Sequence, residues 1–411
     1  MEYGNFSFLF DSEIVFGKGT EKEAGRLVKK YGGAKAMIVY GSGSVKAGGL
    51  YGRVAESLRE AGIAIVEFGG AKPNPGRSHA EEGARIAMGE GVDFLLAVGG
   101  GSVIDTAKTI ALGAANEGDL WQFFLGKTPE KMLPVGTIPT IAAAGSETSR
   151  SCVLVDDTDT GEKRGVWSRF RPRFAIMNPE LTYTLPPYQT AAGAVDIFSH
   201  TFMRYFSNHP SSLGDRLCEA TMKTVVKYAP VAVADPENYE ARAELLLAGS
   251  LSHCDLMMIG RPGGSAGGEH ALESQLSGFY NTTHGAGLAA LMPALLKYFI
   301  IHGSDEQIER VALFAANVFG ACPGAAGDAE TCGKAAVAEC GVERFTGWLK
   351  SIGMPVTLSG LGIPEADIPD VVARCMRARG SKINGFLTLD EAAVEEIFRL
   401  ANSATSAVLS Q

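Results

Sequence analysis

The stretch DFLLAVGGGSVIDTAK, Asp93 to Lys108, runs from an apolar segment through three consecutive glycines into a segment with helical spacing. A short, continuous apolar run bounded by glycine is the pattern of a strand buried on both faces. The turn at Gly99–Gly101 then hands the chain to a helix. Glycines at that point let the backbone approach a ligand closely, N–H groups at a helix N-terminus favour an anion, and Ser102 adds a hydroxyl donor. A nucleotide diphosphate suits such a cradle, although a purely structural turn would use the same glycines. The run is neither GxGxxG nor the GK[ST] of a P-loop, so neither common nucleotide fingerprint applies.

Four further apolar runs surround this one: AMIVYG from Ala36, IAIVEFGG from Ile63, MLPVGTIPT from Met132 and FAIMNP from Phe174. Helical patterns alternate with them, which predicts an α/β fold, a parallel sheet flanked by helices. From Tyr188 onward the β-branched runs give way to Ala- and Leu-rich periodic segments such as QIERVALFAANVFG, so the second half is predicted to be all helical. Pro186-Pro187 makes a natural boundary, since proline suits the first turn of a helix. The expectation is therefore an α/β domain over residues 1–186 and a helical domain over 187–411. The Gly-rich GRPGGSAGG from Gly260 is read as a loop.

With 411 residues, 46% of them hydrophobic and 20% charged, the chain is long enough for two ordinary domains with substantial cores. A net charge of −9 gives no reason to expect nucleic acid or an anionic membrane as partner. The 7 cysteines are odd in number and include no CxxC, which argues for reduced thiols rather than a disulfide framework or a zinc ribbon. MEYGNFSFLF has no basic n-region, and no uninterrupted apolar span of about 18 residues occurs, so a cytoplasmic protein is expected.

Two more loops follow predicted strands. YGSGSVKAGG, from Tyr40, carries no acid where many dinucleotide enzymes hold the ribose 2′-hydroxyl. Ser42, Gly43 and Ser44, with Lys46 close by, would tolerate or attract a 2′-phosphate, favouring NADP over NAD; the alternative is that Ser44 simply caps a helix. IPTIAAAGSETS, from Ile138, offers Thr140 and Ser149 to a cofactor.

In AVDIFSH, Asp196 and His200 stand four apart and project from one face of a predicted helix, a pairing that surface helices also produce by chance. GEHALESQLSGFYNTTHG, Gly268 to Gly285, holds His270 and His284. On one straight helix these would be about 21 Å apart at roughly 1.5 Å per residue, too far to share an ion. Gly278 and YNTTHG break the pattern, however, with turn and N-cap residues before a new periodic run. A helix, a tight return and a second helix could bring the histidines face to face. Together with Asp196 and His200 they would offer one carboxylate and three imidazoles, a set suited to Fe²⁺ or Zn²⁺ with a position left open for substrate. His79, His209, His253 and His302 have no comparable setting.

These segments together resemble the iron-containing (group III) alcohol dehydrogenase family, from IVFGKGT at Ile14 to HGAGLAALMPALL. The carriers are GGGSVIDTAK, PTIAAAGSETS, NPELTYTLPP, AGAVDIFSH and YNTTHGAGLA. YGSGSVKAGGLYGRVAESL, FGGAKPNP and TYTLPP point within it to the NADPH-dependent butanol dehydrogenase and aldehyde reductase branch. The resemblance implies a dehydroquinate synthase-like architecture, with a dinucleotide-binding α/β domain (1–186), a helical metal-binding domain (187–411) and the active site in a cleft between them. It places the metal ligands on Asp196, His200, His270 and His284. It places cofactor contacts on Ser42, Gly43, Ser44, Asn74, Gly100, Gly101, Ser102, Asp105, Thr140, Ser149 and Lys163. Implied too are Fe²⁺, with Zn²⁺ as the other candidate, hydride exchange between the nicotinamide and a small primary alcohol or aldehyde, and a homodimer. The alternatives are a same-fold enzyme acting on a polyol or phosphorylated substrate, as glycerol dehydrogenase or dehydroquinate synthase does, and a metal- and nucleotide-binding protein with impaired catalysis. For the phosphorylated substrate no Lys/Arg cluster stands out in the helical half. Two departures from the family pattern concern the pocket. Ser274 stands where family members commonly carry a histidine with a proton-relay role, and GRPGGSAGGE before His270 replaces bulkier residues.

Overall fold

The structure, a computed structural model, describes residues 5–261, 268–321 and 333–403. Most of the expected Gly-rich loop (262–267), and Cys322 and Cys332, lie outside the described residues. The strands are β1 (Glu13–Phe16), β2 (Lys35–Tyr40), β3 (Ala64–Phe68), β4 (Phe94–Gly99), β5 (Val135–Pro139), β6 (Ser151–Val155), β7 (Lys163–Trp167) and β8 (Phe174–Met177). The helices preceding residue 186 are α1 (Ala24–Lys30), α2 (Ser44–Ala47), α3 (Leu50–Glu60), α4 (Arg77–Glu90), α5 (Gly101–Ala115) and α6 (Trp121–Phe124). Those following are α7 (Pro187–Tyr205), α8 (Ser212–Ala234), α9 (Tyr239–Ser252), α10 (Glu269–Tyr280), α11 (His284–His302), α12 (Asp305–Phe319), α13 (Lys334–Ser351), α14 (Ile368–Arg379) and α15 (Glu391–Asn402).

Two compact units result. One spans Phe8–Leu185 together with Pro236–Asp255; the other is built from Pro186–Asp235 and the chain from Leu256 onward. In the first unit, a 6-stranded sheet runs in the order β1-β8-β5-β4-β2-β3, and every pairing within it is parallel. All five apolar runs read from the sequence are strands of this sheet. Each residue of β4 is buried, and alternation divides them between two cores. Leu96 and Val98 join Ile38, Leu27, Val54 and Leu58 on one face; Leu95 and Ala97 join Met37, Val39, Ile104 and Ala107 on the other. A strand covered on both faces has no place for a polar alternation, which is why DFLLAVG reads as one continuous apolar run. The edge strand β1 and the antiparallel pair β6·β7 are additions to that reading; β7, Lys163–Trp167, is half polar and carries little strand signal.

The segment Pro236–Asp255 belongs to this unit although its sequence is helical. Its helix α9 meets the loop after β5: Thr148 Oγ1 donates to the Ser250 carbonyl (2.7 Å), and the His253 ring nitrogen Nδ1 lies 2.7 Å from the Ala144 carbonyl. Arg171, buried, donates to the Cys254 carbonyl (3.2 Å) and to Asp255 Oδ2 (2.6 Å).

Among the described residues, the second unit has no named strand. Its axis is α7, whose two faces differ by sequence alone. Phe198, Phe202 and Tyr205 form one buried stripe, while Asp196 and His200, offset by two residues and so by about 200°, project from the opposite side. The Phe198 ring stacks on Phe345 (centroids 5.0 Å apart) and also meets Phe314, Phe319 and Trp348. One described helix, α11, is long and apolar enough to cross a membrane, but 72% of its apolar window is buried within the protein, as befits the core of this unit. Since Phe198 is fully buried among rings, Phe198→Ala should lower unfolding free energy by about 3–5 kcal/mol, read as a shift of the denaturation midpoint.

Candidate metal centre and coenzyme loops

The helical unit carries the metal-ligand candidates. His270 lies in the first turn of α10 and His284 opens α11; Asn281, in the left-handed region at φ 52°, ends the first helix. The link Asn281–Thr283 then carries the chain back, so that the His270 and His284 ring centroids are 5.2 Å apart. This close return depends on two glycines at the start of α11. A Cβ at Gly285 would collide with the Ala192 carbonyl of α7, and one at Gly287 would stand 2.7 Å from Glu273 Oε1 of α10.

Ligand atoms of Asp196, His270 and His284 all lie within 4.8 Å of one another. The Nε2 atoms of His284 and His270 are 3.7 Å and 4.0 Å from Asp196 Oδ1. His200, one turn beyond Asp196 on α7, places Nδ1 3.4 Å from the same oxygen, and its ring centroid is 4.7 Å from that of His270. Ligands bound at about 2.1 Å in a tetrahedral arrangement stand about 3.4 Å from each other, so this cluster is near the size a divalent ion requires. His270 Nε2 is buried and has no hydrogen-bond partner, the state of a donor atom awaiting an ion. The residues present therefore fit a metal, with three imidazoles and one carboxylate suited to Fe²⁺ or Zn²⁺.

Two carboxylates that the sequence reading passed over stand directly behind the histidines. His270 Nδ1 lies 3.1 Å from Glu269 Oε1, and His284 Nδ1 is hydrogen-bonded with Glu273 Oε2. Both glutamates are fully buried. The spelling E-H-x-x-E in EHALE was the available signal. Ser274, one turn from His270, donates its hydroxyl to the Ala271 carbonyl at 3.1 Å.

The coenzyme candidates lie in the α/β unit. The chain leaves β2 for β3 on one side, then crosses to β4 and proceeds to β5 on the other, so the strand order reverses between β2 and β4. Open α/β sheets bind ligands at the carboxyl ends of strands at such a switch point. The loop after β2 holds Ser42, Gly43 and Ser44, and the loop after β4 holds Gly100, Gly101 and Ser102 at the N-terminus of α5. Gly43, at φ 114°, is the residue preceding α2, and no side chain caps that helix, so Ser44 is not its N-cap. Asn74, with φ 50°, accepts from Lys163 Nζ at 3.1 Å, which joins two of the expected contacts. Thr140, at the end of β5, donates its backbone N–H to the Gly99 carbonyl (3.2 Å).

Asp105 and Ser149 have internal partners instead of open faces. Asp105 accepts from Ser146 Oγ (2.6 Å) and from the Val153 N–H (3.0 Å). The buried Lys108 ammonium donates to Ser146 Oγ (2.9 Å) and to the carbonyls of Ser149 (3.1 Å) and Ser151 (2.9 Å). Burial pushes the Asp105 carboxyl up and the Lys108 ammonium down, each opposed by the other's charge. Lys108 thus ties α5 to the loop after β5, a role the sequence did not disclose. Lys46, expected near a 2′-phosphate, pairs with Glu67 at 2.7 Å and lies over the rings of Tyr40 and Tyr51 (4.8 and 4.7 Å).

A parallel sheet with glycine-rich loops at its switch point, and a helical unit that gathers three imidazoles and a carboxylate, are the features of a metal-assisted, nucleotide-linked oxidoreductase. Residues 11–179 match the family described as iron-containing alcohol dehydrogenase, and residues 190–402 match the C-terminal region of the Fe-containing alcohol dehydrogenase family. The chain belongs to this family. It is 34% identical to NADH-dependent butanol dehydrogenase A of Clostridium acetobutylicum, over 96% of this chain and 99% of that one. It is 32% identical to the NADPH-dependent aldehyde reductase of Escherichia coli, over 90% of this chain and 92% of that one. The crystal structure of NADH-dependent butanol dehydrogenase A from Thermotoga maritima superposes with a TM-score of 0.89 at 36% identity, covering 98% of this chain and 99% of that one.

Removing the buried Lys108 ammonium would leave Ser146 and the Ser149 and Ser151 carbonyls without their donor, and Asp105 with only Lys163 as a compensating cation. Lys108→Ala should therefore cost about 3–5 kcal/mol of stability, measured by chemical denaturation; a change below 1 kcal/mol, by the same order-of-magnitude reasoning, would contradict the role given to this pair.

Proposed function

We propose that the protein is a metal-dependent, NAD(P)-linked alcohol dehydrogenase or aldehyde reductase that interconverts small primary alcohols and aldehydes. The observation that carries this is the convergence of Asp196, His270 and His284, with His200 beside them, around a point that His270 Nε2 faces without a hydrogen-bond partner. In this reading Asp196, His200, His270 and His284 hold Fe²⁺, or Zn²⁺ in its place. Residues 1–186 form the coenzyme-binding half, joined by α9, and the rest of 187–411 forms the metal-binding half. A bound divalent ion supplies Lewis-acid polarisation of the substrate oxygen, and the nicotinamide gives or takes the hydride.

The chain's own residues supply position and environment. The N-terminus of α5, at Gly100, Gly101 and Ser102, favours the pyrophosphate, and Asn74 and Lys163, hydrogen-bonded to each other, are further polar groups this reading assigns to the nucleotide. NADP is favoured over NAD because the loop at Ser42, Gly43 and Ser44 offers no carboxylate to a ribose 2′-hydroxyl. Lys46 remains available to a 2′-phosphate, since an exposed ion pair such as Lys46–Glu67 contributes at most about 1 kcal/mol. Ser274 cannot store a proton near neutral pH as an imidazole would, so proton exchange with solvent runs through hydroxyls and water. A homodimer fits the edge position of β1 and the exposed Phe8 and Leu9 just ahead of it, and light scattering giving a monomer mass would refute that part.

Metal analysis with steady-state kinetics on C3 to C6 aldehydes tests the reading. Chelation should abolish turnover and Fe²⁺ or Zn²⁺ restore it, while His270→Ala should retain neither metal nor activity. NADPH should give the higher kcat/KM; equal or better values with NADH would overturn the coenzyme assignment. Ser274→His should alter the pH profile of kcat without changing metal content, and an unaltered profile would make Ser274 a bystander.

A further inference from the structure

We infer that Glu269 and Glu273 are positioning residues of the metal centre: each carboxylate fixes the tautomer and ring orientation of one histidine, so that Nε2 of His270 and of His284 faces the ion. The inference rests on the reading of Asp196, His200, His270 and His284 as the ligand set. It concerns two residues to which neither the ligand pattern nor the coenzyme loops assign a part.

The chemistry starts from burial. A carboxylate fully removed from water is costly unless a charge or strong donors face it. Here both glutamates are fully buried, and the ionic partner at hydrogen-bonding distance of each is a histidine, His270 for Glu269 and His284 for Glu273. An ionised carboxylate only accepts, so the proton of each imidazole belongs on Nδ1 and the lone pair on Nε2. Those Nε2 atoms are the ones directed at Asp196 Oδ1, at 4.0 and 3.7 Å. Carboxylates behind ligating imidazoles commonly orient the ring and raise its basicity toward the ion.

The backbone is shaped to admit this arrangement. Glu273 lies across α11 at Gly287, where a Cβ would come within 2.7 Å of Oε1 and 2.8 Å of Cγ. Its Oε2 also accepts from Ser277 Oγ at 3.3 Å, one turn further along α10, which adds a second donor to hold the carboxylate. The α11 N-terminus beside it favours negative charge. His200 differs from the other two: the nitrogen nearest Asp196 Oδ1 is Nδ1.

The test is the affinity of metal-stripped protein for Co²⁺, followed through its visible d–d absorption and by competition with a chelator, so that no turnover is involved. Glu273→Gln and Glu269→Gln keep the side-chain volume and should each weaken binding about 10–100-fold with an altered Co²⁺ spectrum. Gly287→Ala, which leaves Glu273 in the sequence but crowds it, should weaken binding in the same direction. If a glutamine variant does not fold, Gly287→Ala and the other glutamine variant carry the test. Affinity and spectrum unchanged in the variants that fold, while His270→Ala loses Co²⁺, would overturn this inference alone. If His270→Ala binds Co²⁺ as the parent protein does, the ligand assignment itself is wrong.

Discussion

The proposed metal centre depends on one reversal of the chain. Without the return at Asn281–Thr283, His270 and His284 would sit at distant levels of one helix; with it, their rings are 5.2 Å apart. The reversal is possible because α11 begins with small residues. Gly285 lets it press against the backbone of α7, and Gly287 makes room for a buried glutamate of α10. Three helices thus meet where side chains larger than hydrogen would hold them apart, and the candidate ligands they carry converge as a consequence of that packing.

The same helix α7 divides its labour by angle. Its Phe198–Phe202 stripe anchors the aromatic core, and its Asp196–His200 face is left for chemistry. The apolar contacts hold the helix in register, so the orientation of Asp196 is set by residues on the opposite face. In the α/β unit the buried Lys108 has a related part. It secures the loop after β5 against α5 through serine oxygens, so that strand-end loops proposed to bind a dinucleotide are held by buried charge as well as by strand pairing.

The relatives differ in coenzyme, NADH for the butanol dehydrogenase of Clostridium acetobutylicum and NADPH for the aldehyde reductase of Escherichia coli. The loop after β2 is neutral, and the nearby cation, Lys46, is shared with Glu67 and two tyrosine rings. If that loop receives the adenosine ribose, as proposed, selectivity would rest on one exposed ion pair, a weak interaction.

Much of the fold was legible because it is encoded locally. The five apolar runs declare strands of the sheet, the shift to helical periodicity at Pro186–Pro187 marks the change of architecture, and YNTTHG announces a break between His270 and His284. The side chains of Asp196, His200, His270 and His284 were nameable for the same reason: each sits on a local pattern. What the tertiary structure decided were matters of distant neighbours. The helix α9 joins the α/β unit because its backbone meets the loop after β5, which no periodicity records. Glu269 and Glu273 look like ordinary helical acids until burial places them behind imidazoles. Lys108 likewise reads as the end of a glycine-loop motif until serines from a loop some forty residues away surround its ammonium. Periodicity fixes which face a residue takes; only packing fixes what lies opposite that face, and hence whether a charge is solvated or employed.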